Sequence, residues 1–162
     1  MKKKVLPVIV AILLILVIGG CALGKVLLDK YSYSKEEADW NEFYQVSEND
    51  RSAIILQNEM VEEQALIKDG VCYFDLATVH KYMNEVFYAD MTENLLLYAT
   101  PTEVIRTTFG ETAYTTTEGT QEAGYVISFA DGDNVYVAAD YVKLFTNYSY
   151  ECYDRHVQVN TE

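Results

Sequence analysis

The stretch Asp69-Gly70-Val71-Cys72-Tyr73-Phe74-Asp75-Leu76-Ala77-Thr78-Val79 decides the fold. Lys68-Asp69-Gly70 reads as a hairpin turn that feeds a strand, Val71-Cys72-Tyr73-Phe74. Asp75 is placed to cap a short helix whose inward face carries Leu76, Val79 and Tyr82 or Met83. Asn84 suits a left-handed helix end. Two strands follow, Phe87-Tyr88-Ala89 and Leu95-Leu96-Leu97-Tyr98, separated by the polar turn Asp90-Met91-Thr92-Glu93-Asn94.

The same order recurs downstream. Asp131-Gly132-Asp133-Asn134 turns, Val135-Tyr136-Val137 is a strand, and a short helix holds Tyr141, Val142 and Phe145 before Asn147 ends it. A constant offset superposes Tyr73 on Tyr136, Val79 on Val142, Tyr82 on Phe145, Asn84 on Asn147 and Phe87 on Tyr150. One inserted residue then brings Asp90 to Asp154. The pattern is an internal repeat of a strand–strand–helix–strand–strand unit. Val104-Ile105-Arg106 and Tyr125-Val126-Ile127-Ser128-Phe129 supply the leading strands of the second copy, and Val157-Gln158-Val159 closes it. One such unit is too small to be stable alone, whereas two can share a core.

Upstream, Ala53-Ile54-Ile55-Leu56 reads as a buried strand. Ser34-Lys35-Glu36-Glu37 is a capping box with Ser34 as N-cap. It opens a short amphipathic helix running to about Tyr44, on which Trp40 is expected to pack against the sheet, with an interfacial aromatic belt as the rival reading. At the N-terminus, Lys2, Lys3 and Lys4 precede the uncharged run from Val5 to Gly24. As a helix that run reaches about 30 Å, the thickness of a hydrocarbon core. An uncleaved signal anchor with a cytoplasmic N-terminus is the favoured reading. A lipoprotein signal at Ile18-Gly19-Gly20-Cys21 and simple cleavage are its rivals. The sequence therefore predicts an α+β protein: an N-terminal transmembrane helix followed by tandem β-hairpin/short-helix units. The expected divisions are 1–30 for the Lys cluster and anchor, 31–50 for the juxtamembrane helix and linker, 51–102 for the first repeat and 103–162 for the second. The expected location is the cell membrane, single-pass, with the bulk of the chain extracytoplasmic.

Composition narrows the function. The 162 residues are 50% hydrophobic and 13% aromatic, so the chain can offset its ordering entropy by burial. Against 25 Asp and Glu stand 12 Lys and Arg, a formal net charge of −13. Nucleic acid, which needs clustered cations, is not an expected partner. The acidic excess favours solubility of the outer part.

No catalytic, cofactor-binding or metal-binding residue is assigned. Cys152, Asp154 and His156 lack a second ligand pair at metal-like spacing. Asp131-Gly132-Asp133-Asn134 lacks the bidentate Glu of a calcium loop and reads as a hairpin turn. His80 reads as a solvated surface residue. Cys72 and Cys152 fall in different copies, and whether they pair is not readable from sequence. The acids of a glycosidase must face each other across a sugar cleft, and those here lie in turns and helix starts. Fourteen tyrosines remain. Exposed, they could stack on sugar rings of a cell-wall glycan; within a sheet they pack as cross-strand pairs, the favoured reading.

The order turn, strand, short helix, aromatic strand ending in Asp, closing strand resembles the copper amine oxidase N-terminal-like, or stalk, domain. The residues that carry the likeness are Asp69 to Val79, Phe87-Tyr88-Ala89-Asp90 and Asn94-Leu95-Leu96-Leu97-Tyr98, with Val135 to Val142 in the second copy. With the juncture Tyr31-Ser32-Tyr33-Ser34-Lys35-Glu36, the whole chain is similar to the N-terminal region of membrane-anchored family 18 (chitinase-like) glycoside hydrolases of Gram-positive bacteria. That resemblance implies a noncatalytic, membrane-anchored stalk, with an SH3-like module and a catalytic barrel to follow. Two features depart from it. Asp75 and Ala138 stand where a helix-opening proline is common, and the family's Asp-x-x-Asp-x-Asp-x-Glu signature has only the fragment Asp131-x-Asp133. The copper of the domain's name belongs to another domain of those oxidases and implies no metal here.

Overall fold

The computed structural model describes residues 24–26, 28, 30, 31, 39–46 and 48–161. Contacts divide the chain into two units, Met1–Ala38 and Asp39–Glu162. In the first unit the described residues are helical and include the exposed Lys25 and Lys30.

In the second unit the strands are β1 (Arg51–Leu56), β2 (Glu59–Lys68), β3 (Val71–Asp75), β4 (Phe87–Asp90), β5 (Leu95–Ala99), β6 (Val104–Thr108), β7 (Ala113–Thr116), β8 (Gly119–Glu122), β9 (Ser128–Asp131), β10 (Asn134–Ala138), β11 (Tyr148–Cys152) and β12 (His156–Thr161). Three short helices join them: α1 (Trp40–Tyr44), α2 (Leu76–Tyr82) and α3 (Ala139–Lys143).

Two expectations are corrected. The described chain is 49% strand and 18% helical, a mostly β protein rather than an α+β one. The helices are single turns or little more, and β2, β7 and β8 add strands that hydrophobic runs alone did not disclose. Second, no helix among the described residues is long and apolar enough to cross a membrane. A span needs about twenty apolar residues in one helix, and the described helical residues of the first unit are interrupted by two lysines. The single-pass anchor, the signal-anchor reading and the cell-membrane location are therefore not supported. All of Val5–Gly24 except Gly24 lies outside the described residues, as do Cys21 and the capping box at Ser34.

The strands form a seven-stranded sheet, ordered β11-β12-β1-β2-β3-β10-β9, and a five-stranded meander, β4-β5-β6-β7-β8. Two tight turns set the register of β1–β2–β3. Gln57 and Asn58 have φ of 50° and 71°, and Asp69 and Gly70 have 52° and 79°, the paired positive φ values of a type I′ hairpin turn. The first of these turns holds no glycine, so the start of β2 carries no turn signal in the sequence.

β2–β3–α2–β4–β5 and β9–β10–α3–β11–β12 follow one another in the same element order. They meet through β3 and β10, antiparallel, with Tyr136 opposite Asp75, Val137 opposite Phe74 and Ala138 opposite Tyr73. Phe74 and Val137 are equivalent positions of the two copies, so a local two-fold axis passes through that rung. Each helix end is held across the axis. The Tyr82 carbonyl accepts from the Tyr148 hydroxyl at 2.6 Å, and the equivalent Phe145 carbonyl accepts from Asn84 Nδ2 at 3.1 Å. Neither Asn84 nor Asn147 has the positive φ expected of a left-handed helix end; Asn84 acts through its side chain instead.

The symmetry stops at the closing strands. β12 runs parallel to β1, whereas β5 turns straight back, antiparallel, onto β6. The β7–β8 hairpin is an insertion without a counterpart. β9 begins only at Ser128, not at Tyr125. Residue 127 still bridges the sheets, its N–H donating to the Glu111 carbonyl at 3.0 Å while Gly110 N–H donates to Ser128 at 2.7 Å. Phe74, Val79, Phe87, Leu96, Ile127, Val137, Tyr141, Val142, Val157 and Val159 make one core shared by both copies.

Candidate functional site

An exposed aromatic surface lies where α1 meets the β11–β12 turn. Asp39 caps α1, its Oδ1 accepting from Asn41 N–H at 2.9 Å and Glu42 N–H at 3.4 Å. Gln45 ends the helix in the left-handed region (φ 55°) and Val46 is buried, which pins the turn to the body. Gln64 Nε2 on β2 donates to the Gln45 carbonyl at 3.0 Å. So fixed, a helix of five residues buries none of its own side chains. Trp40, expected on the sheet, is instead 56% exposed and Phe43 65% exposed.

Helical spacing brings Trp40 over Tyr44, ring centroids 6.1 Å apart and 24° from coplanar. Tyr44 stacks on His156 at 4.8 Å, and His156 stacks on Tyr153 at 4.6 Å and 13°. The imidazole thus sits in a ladder of rings, Trp40–Tyr44–His156–Tyr153. Tyr153 is half exposed, and its hydroxyl donates to Glu151 Oε2 at 2.6 Å. Its N–H donates to the His156 carbonyl at 2.8 Å, which closes the turn. With Asp154 and Arg155 these rings line an open groove of about 310 Å³. Ring faces flanked by a carboxylate and a guanidinium suit a ligand with an apolar face and a polar edge.

The other residues singled out in the sequence fall as follows. Asp154 and His156 share this groove, but His156 is occupied by its two stacking partners. No group of three or more His, Cys, Asp or Glu that could hold a metal occurs among the described residues. Asp131 and Asn134 face each other across a tight turn with Gly132 at φ 61°. His80 is exposed but tethered, its Nε2 lying 2.6 Å from the Phe87 carbonyl. Cys72 and Cys152 lie near enough to shift each other's pKa, Cys72 upward and Cys152 downward.

Most tyrosines lie elsewhere. Tyr73 donates to the Val126 carbonyl at 2.9 Å, and Tyr141 is fully buried. Burial pushes the phenols of Tyr141 and Tyr150 upward. Burial, with the charge of Asp140, pushes Tyr125 up to about 12. In the unfolded chain a tyrosine titrates near 10, so the folded state holds a proton that the unfolded state releases first. Stability is therefore full below pH 10 and falls as pH rises from there through about 12. Denaturant midpoints measured across that range, beside tyrosinate absorbance, should fall together; a flat midpoint would contradict the buried phenols.

No protein-family model matches the chain, and neither a curated protein nor a solved structure matches it significantly.

Proposed function

We propose that the chain is a noncatalytic module that binds a cell-wall glycan, of the kind that positions a glycoside hydrolase on its substrate. One observation carries this reading: the ring ladder Trp40–Tyr44–His156–Tyr153, exposed at both ends and bordered by Asp154 and Arg155. A pyranose has a C–H face that lies on an aromatic ring and an equatorial rim of hydroxyls. The rim would meet the carboxylate and guanidinium while the face meets Trp40 or Tyr153. A net charge of −13 disfavours anionic ligands at the same surface and leaves neutral sugars unopposed. The internal duplication supports a second, compatible role as a stalk: two copies fused about one axis form a single stiff body.

Trp40 is the chain's one tryptophan, so its emission reports on the groove directly. Titration with soluble chitooligosaccharide should give a saturable blue shift. Tyr153→Ala, at an exposed position, should weaken binding about tenfold, or ~1.4 kcal/mol. Binding seen by calorimetry with Trp40 emission unchanged would place the ligand elsewhere, and absence of binding by both methods would refute the proposal.

A further inference from the structure

Cys72 lies on β3, opposite Ile67 of β2, and is 4% exposed. Cys152 ends β11, opposite Val157 of β12, and is exposed. Between these strands the sheet places β12, β1 and β2, so only coiling of the sheet brings them face to face. An independent contact registers the approach. Side chains alternate along a strand, so Phe74 shares the face of Cys72, and Tyr150 that of Cys152. The Phe74 and Tyr150 rings meet edge to face, centroids 6.4 Å apart. The two cysteines are the next facing pair of the same antiparallel approach, and both are free thiols.

We propose that Cys72 and Cys152 are a dithiol modification site, at which a small-molecule disulfide of the glutathione class installs an internal bond that staples the first copy to the second. Exposure makes Cys152 the entry point. The neighbouring Cys152 thiol, together with burial, raises the pKa of Cys72, and the neighbouring Cys72 thiol lowers that of Cys152. The Cys152 thiolate attacks one sulfur of the oxidant, forming a mixed disulfide and expelling one small thiolate. Cys72 loses its proton and attacks Cys152 Sγ, expelling the second thiolate. Two protein thiols have then given up two electrons and two protons, and the oxidant has become two small thiols. The new bond closes a loop of about 80 residues that contains α2, β10 and α3, long enough for a large stabilising effect on the chain-entropy model.

The test is incubation of the full chain in an oxidised/reduced glutathione buffer, followed by alkylation, peptide mapping and thermal melting. The mass should fall by two hydrogens, the Cys72 and Cys152 peptides should be linked, and the thermal midpoint should rise by roughly 10 °C. Cys152→Ser, at an exposed position, should fold and melt like the reduced protein and show no rise on oxidation. Persistent alkylation of both cysteines, a bond to Cys21 instead, or a linked pair with an unchanged midpoint would each overturn the proposal.

Discussion

A chain ending at Thr102 should show no cooperative unfolding transition, although it contains every residue of the first repeat. The reason lies in which strands that repeat uses as partners. β1 is flanked by β2 and by β12, so truncation strips the parallel pairing of Ala53, Ile54, Ile55 and Leu56 with residues 156–159. β3 loses β10, and with it the Phe74–Val137 rung at the two-fold axis. Both strands become open edges bearing apolar side chains, a template for association rather than folding. The core suffers equally. Tyr141, Val142, Val157, Val159 and Ile127 come from the missing part, and Phe87, Val79 and Phe74 would face water without them. Residues 39–102, the fragment's part of the second unit, would bury only about 60% of their unfolded surface even if they folded, and a whole domain nets only ~5–15 kcal/mol. Circular dichroism of the fragment against temperature and denaturant is the measurement. A sigmoidal transition with a slope proportionate to its length would show that the first repeat folds by itself.

The sequence announced local features and hid remote ones. Asp69-Gly70 and Asp131-Gly132 were visible as turns because glycine marks positive φ. Gln57-Asn58 adopts the same conformation without glycine, so the sequence does not mark where β2 begins. Asp75 was recognisable as a cap, and its Oδ1 does accept from Ala77 N–H at 2.8 Å. Asn84 resembled a helix stop through residue type alone; its bond to Phe145, far along the chain, is invisible to local pattern. The mostly β class is hidden in the sequence, because the short helices carry clear local signals while polar strands such as Gly119–Glu122, exposed throughout, carry no hydrophobic one. The groove was half legible. Trp40, Phe43 and Tyr44 share a helical face by spacing, but nothing local says that Tyr153 and His156 return to meet them. Parallel pairing of β12 with β1 does that, joining residues about a hundred positions apart.

Tyr141 should respond in opposite directions to two substitutions. It is fully buried on α3, with Phe145 at 5.1 Å, Tyr114 at 5.4 Å and Phe87 at 6.2 Å between ring centroids. Its ring fills the space where β4, β7 and α3 meet, contacts that join the two sheets. Tyr141→Ala removes that ring from a close-packed core and leaves a cavity, at a cost of about 3–5 kcal/mol. That is a large share of the total stability, and much of the chain should be unfolded near body temperature. The hydroxyl tells the other half. Buried, it finds no hydrogen-bond partner among the described residues. Folding therefore strips it of water without recompense, a penalty of about 1–3 kcal/mol for a neutral polar group. Tyr141→Phe keeps the ring, deletes the orphaned oxygen and should stabilise by ~1 kcal/mol, some 3–6 °C in the thermal midpoint. It should also blunt the alkaline loss of stability, since burial holds this phenol above its ordinary pKa and phenylalanine has no proton to lose. Chemical denaturation of both variants at neutral and alkaline pH decides the matter. Destabilisation by Tyr141→Phe would mean that the hydroxyl makes a bond worth more than the desolvation it suffers, and the account of this core would then be wrong at its centre.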